Sequence, residues 1–149
     1  MPPDDRGAES SGIVLPEFRE GDDERIQRVK NVAALTAIVL VEVTARRAHA
    51  LPEQTEVAVK QEARGEAQLT DQQLNIAVRF TFKTDPHAFE VEAVFGLVYA
   101  LTEAIEKEDA DAFARHNALF NAWPYWRELV QNTTVRMGFP PPLVPLLKV

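Results

Sequence analysis

Apolar positions set the outline of this chain. From Asp22, the residues Ile26, Val29, Val32, Ala33 and Leu35 recur at helical spacing behind Asp22, Asp23 and Glu24. Carboxylates are favoured at that end by the helix dipole, so the spacing predicts an amphipathic helix ending near Ala37. The period then falls to two. Over Ile38 to His49, Val39, Val41, Val43 and Ala45 alternate with Leu40, Glu42, Thr44 and Arg46, the pattern of a half-buried strand. Leu51 to Gln54 reads as a loop. A more polar second strand, Glu56 to Gln68, carries Gly65 inside it, which predicts a bulge or an edge position. After a turn at Thr70 to Gln73, Leu74, Ile76, Val78, Phe80 and Phe82 alternate with polar or small residues as a third strand. Beyond the Asp85-Pro86 turn, Phe89, Val91, Ala93, Phe95 and Leu97 alternate with Glu90 and Glu92 as a fourth.

Two helices follow. Asp109 to Asn121 presents Ala112, Phe113, Leu119 and Phe120 on one side. In the next, Asn121 and Pro124 suit the cap and first turn, and Trp126, Leu129, Val130, Thr133 and Met137 keep helical spacing. Gly138 suits the left-handed residue past its end, and Pro140 blocks continuation. The expected architecture is α+β: a four-stranded antiparallel meander sheet with an N-terminal helix and two C-terminal helices packed on one face.

The two ends differ from this pattern. Residues 1–21 mix Pro, Gly, Ser and acids and are expected to form a disordered acidic arm, with 22–149 as one domain. At the other end, Gly138 to Leu147 reads GFPPPLVPLL. Its prolines remove backbone donors and forbid helix and central strand, so this apolar stretch is expected to lie extended against another surface.

Composition narrows the chemistry. A chain of 149 residues, 46% hydrophobic, is long enough for one core. It has no apolar run of the roughly 20 residues that span a bilayer and no basic-then-apolar leader, so membrane insertion is not expected and the cytoplasm is the expected location. Zero cysteines remove disulfides and thiolate chemistry. A net charge of −7 argues against nucleic acid. His49, His87 and His116 are scattered, without i, i+4 pairing or a nearby carboxylate cluster, so no metal site is expected and surface positions are the default. Serine occurs only at Ser10 and Ser11, and no Gly-rich phosphate loop exists, so neither catalysis nor a cofactor is expected.

Three stretches resemble the SecB protein-export chaperones and the SecB-like chaperones that accompany toxin–antitoxin systems. Trp123-Pro-Tyr-Trp-Arg-Glu-Leu-Val130, continuing through Arg136-Met-Gly-Phe-Pro140, is similar to that family's aromatic-Pro-Tyr helix and Gly…Phe-Pro exit. Glu56 to Leu69 with Val78-Arg79-Phe80-Thr81 resembles its second and third strands, and Ala88 to Glu92 with Phe95-Gly96 its fourth. The resemblance implies a homotetramer, a dimer of dimers, that holds unfolded polypeptides or preproteins in apolar grooves without ATP. Carried over by position, the groove would use Leu51, Val57 and Val59, with Leu143, Val144 and Leu146 on the proline-rich exit. Leu51, Val57 and Val59 fit groove and core alike, and Leu143 to Leu147 fit a domain seal or an oligomer interface equally. The sheet face used by the family for partner docking maps to Glu42, Glu90 and Glu92, which with Glu62 share it here with Arg46, Lys60, Arg64, Arg79 and Lys83. That mixture, and the absence of the family's C-terminal helix and polar tail, argue against coupling to the translocase motor SecA. The alternative is a dedicated interaction protein or antitoxin-specific chaperone without that coupling, a reading that the extra helix at Ile26 to Leu35 favours.

Overall fold

The computed structural model describes residues 13–50 and 58–142. Its elements are β1 (Ile13–Val14), α1 (Asp22–Lys30), β2 (Ala33–Arg47), β3 (Ala58–Leu69), β4 (Gln73–Asp85), β5 (Phe89–Leu101), α2 (Lys107–Arg115) and α3 (Asn117–Arg136). The class is α+β with a mostly antiparallel sheet, as the periodicity predicts. The strand order is β1-β3-β4-β5-β2, so a fifth short strand is present and the sheet departs from a simple meander. β3, β4 and β5 follow one another through tight turns, whereas β2 lies antiparallel beside β5 in a Greek-key order. Period-two patterning tells which face is dry and leaves the neighbour open. β5, the most apolar strand, takes a central place with a partner on each side, and polar β3 is displaced toward the edge.

The core lies between the sheet and the helices. Leu74, Ile76, Val78, Phe80 and Phe82 of β4 and Phe89, Val91, Ala93, Phe95 and Leu97 of β5 are all buried, as their alternation predicts. The Phe80 ring stacks on Trp126 with centroids 5.1 Å apart and meets Trp123 edge-on at 5.7 Å.

Three boundaries moved. The first helix stops at Lys30, not Ala37: Val32 donates to the Val29 carbonyl in a final turn, and from Ala33 the backbone pairs with Leu101 of β5. Cross-strand hydrogen bonding overrides a helical spacing that rested on Val32, Ala33 and Leu35. The helix–helix break falls at His116, not Asn121, so Pro124 sits inside α3. Residues 13–21, expected to belong to the arm, are built into the fold: Ile13 and Val14 pair in parallel with Gln61 and Glu62 of β3, and the Phe18 ring stacks on His116 at 4.0 Å.

Gly65 explains itself by contact. β3 and β4 keep one register from Ala58 to Leu69, so no bulge occurs there. Instead a Cβ at Gly65 would overlap the Ala114 carbonyl oxygen, and α2 rests on the bare backbone. Gly65→Ala is expected to lower stability by about 1–3 kcal/mol, read as a fall in the urea midpoint. Gly96→Ala, whose Cβ would meet only the Val41 and Val39 side chains at 3.2 and 3.4 Å, should cost clearly less.

Candidate polypeptide-binding surface

Of the groove residues carried over from the resemblance, Val59 is described: it is half-buried opposite Thr84 and packs against the core. Leu51, Val57, Leu143, Val144 and Leu146 lie outside the described residues. The start of the proline-rich exit is described and docks as expected. Gly138 takes φ 91°, a left-handed turn that glycine adopts without strain. Phe139 then lies 4.8 Å from the Phe89 ring with the Arg47 guanidinium 5.2 Å above its centroid. Arg47 Nε donates to the Met137 carbonyl at 2.7 Å, and Gln131 Nε2 donates to the Pro142 carbonyl at 3.3 Å.

Sequence reasoning missed the extent of bare apolar surface on β2. The expected half-buried strand has no buried residue over its 15 positions. Two register shifts, between Leu35 and Ala37 and between Leu40 and Glu42, change which side chains share a face. Leu40 and Val43 pair with Phe95 and Ala93 and so share the helix-side face. Val39 and Val41 instead lie over Gly96 on the opposite face. Leu35, Val39, Leu40, Val41 and Val43 are all exposed, Val41 at 63%. β2 bonds to a neighbour on one side only, so its outer N–H and C=O groups have no strand partner among the described residues. An exposed apolar edge of this kind invites backbone pairing with another chain.

Glu42, Glu90 and Glu92 do share the sheet face away from the helices, as expected, yet two of them are engaged. Arg79 Nη1 lies 3.1 Å from Glu92, and Glu90 is 4.0 Å from both Lys83 and Arg46. Cross-strand pairing thus offsets the acids that would mark a docking face for a basic partner.

A second cluster was invisible to spacing. Asp22 at the head of α1 is fully buried, and its carboxylate accepts from Arg19 N–H at 2.9 Å and Arg115 Nη2 at 2.9 Å. His116 Nε2 lies 3.0 Å away, contrary to the expectation of surface histidines without an acid nearby. His49 and His87 are exposed. Arg28 clasps buried Asp109 with two bonds of 2.9 Å at the other end of the helix. Burial alone would raise the Asp22 carboxyl, but the hydrogen bonds from Arg19, Arg115 and His116 and the Arg115 charge hold it down at about 2. Burial lowers the His116 imidazole below its ordinary value against the pull of Asp22. An acid–histidine pair suggests acid–base chemistry, but Phe18 covers this imidazole and neither residue lines either described cleft. Its geometry makes it a structural clasp.

No family model matches the chain, and no curated protein matches it. Solved structures do. The SecB-like chaperone Rv1957 of Mycobacterium tuberculosis, solved in complex with a ChAD peptide from the Rv1956 HigA1 antitoxin, aligns with TM-score 0.77 at 16% identity. The alignment covers 87% of this chain and all of that one. This chain has a SecB-like fold. A protein of unknown function from Streptococcus agalactiae aligns over 76% of this chain and 96% of its own, with TM-score 0.50 and 10% identity. At such identities the likeness speaks for the fold. Among the described residues no helix is long and apolar enough to cross a membrane, and no group of metal-ligating side chains gathers.

The Asp22 clasp contributes a pH response to the SecB-like fold. The folded chain holds Asp22 at about 2 against an ordinary 3.8, so its contribution is present above about pH 4 and is lost as pH falls toward 2. The His116 contribution, from a value held below 6.5, is lost as pH falls below that range. Thermal melts should therefore show midpoints that fall steadily from neutral to acid. Asp22→Ala, which leaves Arg115 and His116 without their acceptor, should cost about 3 kcal/mol at pH 7 and flatten the acid limb.

Proposed function

We propose that the protein is an ATP-independent holdase chaperone that binds unfolded polypeptide in apolar surface grooves and works as a homotetramer, a dimer of dimers, in the cytoplasm. The observation that carries this reading is the long, largely apolar strand β2, none of whose positions is fully buried, on a SecB-like fold. Soluble monomers rarely leave such a strip uncovered, which supports coverage by a second copy, by clients, or by both on different faces. The groove would draw on Leu51, Val57 and Val59 and on Leu143, Val144 and Leu146, beside the exit anchored by Phe139.

Energetics favour repetition. Burying one client Leu or Phe contributes about 1.5–3 kcal/mol, while ordering each flexible residue costs about 1–2 kcal/mol, so one short groove binds weakly. Several grooves on one assembly raise the effective concentration, with gains of about 10²–10⁴ for a long client. The net charge of −7 per chain keeps such an assembly soluble and attracts basic clients.

A second reading is a chaperone dedicated to one partner such as an antitoxin, supported by the peptide bound to the Mycobacterium protein. A link to protein export draws less support, since Glu90 and Glu92 of the expected docking face are already engaged by cations.

At stoichiometric amounts the protein should suppress light scattering from a refolding client, and unchanged scattering would exclude the holdase. Native mass spectrometry should give four chains, and Val41→Asp on β2 should shift the distribution toward smaller species; a monomeric wild type would remove the avidity argument. Pulldown of many unfolded proteins would favour the general holdase, and recovery of one partner the dedicated chaperone.

A further inference from the structure

The sheet face without helices has an unbalanced charge pattern at its β3 end. Lys60 of β3 stands directly opposite Lys83 of β4, and Arg64 directly opposite Arg79. Like charges placed this way destabilise a strand pair. β5 compensates only the β4 members, through Glu90 and Glu92. Lys60 and Arg64 are exposed and form no ion pair with a described residue. Beside them Val14, in register with Glu62, leads into Leu15 and Pro16 as an aliphatic wall. Wall and strands enclose an open cleft of about 920 Å³, lined by four basic side chains against two acidic ones in a chain of net charge −7. Val14, 65% exposed, faces this cleft.

We propose that this cleft docks an acidic peptide segment in extended form, with carboxylates four residues apart and small or apolar residues between them. Lys60 and Arg64 are four positions apart on one strand, about 13 Å at a rise of ~3.3 Å per residue, which an extended ligand matches with its own i and i+4 side chains. One carboxylate bridges Lys60 and Lys83, and the other bridges Arg64 and Arg79, so each relieves a like-charge pair. Between them the ligand passes over Glu62 and Thr81, where a further carboxylate would be repelled. Its apolar side chains rest on Val14 and Leu15. That interruption by Glu62, with Glu92 close by, also disfavours nucleic acid, whose evenly spaced phosphates would meet both acids.

The site differs from the apolar surface of β2 and does not rest on the chaperone reading. It is tested on the full chain by fluorescence anisotropy with a labelled peptide centred on the sequence Glu-Ala-Val-Ala-Glu. The peptide should bind, and should weaken as salt rises from about 50 to about 200 mM. Lys60→Glu combined with Arg64→Glu should weaken it about ten-fold or more, and the milder pair Lys60→Gln with Arg64→Gln by a smaller factor. Lys30→Glu, an exposed cation on α1, should leave affinity unchanged. The proposal is overturned if the Gln-Ala-Val-Ala-Gln peptide binds equally well, or if both β3 variants, folded by circular dichroism, bind like the wild type. It is also overturned if a single-stranded oligonucleotide displaces the peptide at lower concentration than unlabelled peptide does.

Discussion

A buried carboxylate decides where this chain can go. Asp22 is surrounded by Arg19 N–H, Arg115 and His116, and only with those partners is a charge tolerable in that position. It ties the head of α1 to the junction of α2 and α3, while Arg28 and Asp109 tie the tail of α1 to the start of α2. With both ends of a nine-residue helix fixed, the chain leaves it beside the end of β5 and can only run back along that strand. The Thr102 N–H bonded to the Val32 carbonyl at 2.9 Å closes this corner. The position of β2 at the sheet edge, with its side chains largely out of contact, follows from the clasp.

The fixed edge leaves an apolar strand without a cover among the described residues. β2 is β-branched and apolar and suits a central strand, yet no described element covers its outer side. β3 shows the opposite choice: a polar, charged strand at the other margin, partly capped by the two residues of β1. Charges on an edge discourage indiscriminate pairing, and on β2 the run Ala33 to Val41 carries none before Glu42, which leaves that part of the edge open to a matching strand. One margin of the sheet thus exposes more apolar side chain, and the other carries the denser charge.

The elements most legible in the sequence were those whose burial one face settles locally. β4 and β5 alternate so regularly that their inward residues could be named in advance, and the Gly138 turn followed from glycine and the prolines behind it. What failed has a common physical origin. The extent of the first helix depended on whether Val32, Ala33 and Leu35 found a helical or a cross-strand partner, which is decided by residues near Leu101. The faces of β2 depended on two bulges that leave no mark in an apolar run. The Asp22–His116 contact joins residues 94 apart in sequence, and an acid at a helix start reads the same whether exposed or buried. For the groove, the carried-over positions were legible only by resemblance, and Val59, the one described, is half-buried and packs against the core.

The separation of apolar and charged margins also bears on how a long chain could be held. A client gripped only by side-chain burial would slide, because apolar side chains of similar volume such as Leu, Ile and Met replace one another at a cost below about 1.5 kcal/mol. Paired cations at a fixed spacing reject by a different criterion, since a misplaced carboxylate meets Glu62 or Glu92. A surface that combines the two can hold many sequences weakly and still fix the register of one. On the proposed readings, the bare strand would supply the breadth, and the Lys60–Lys83 and Arg64–Arg79 pairs would supply a discrimination that hydrophobic burial cannot.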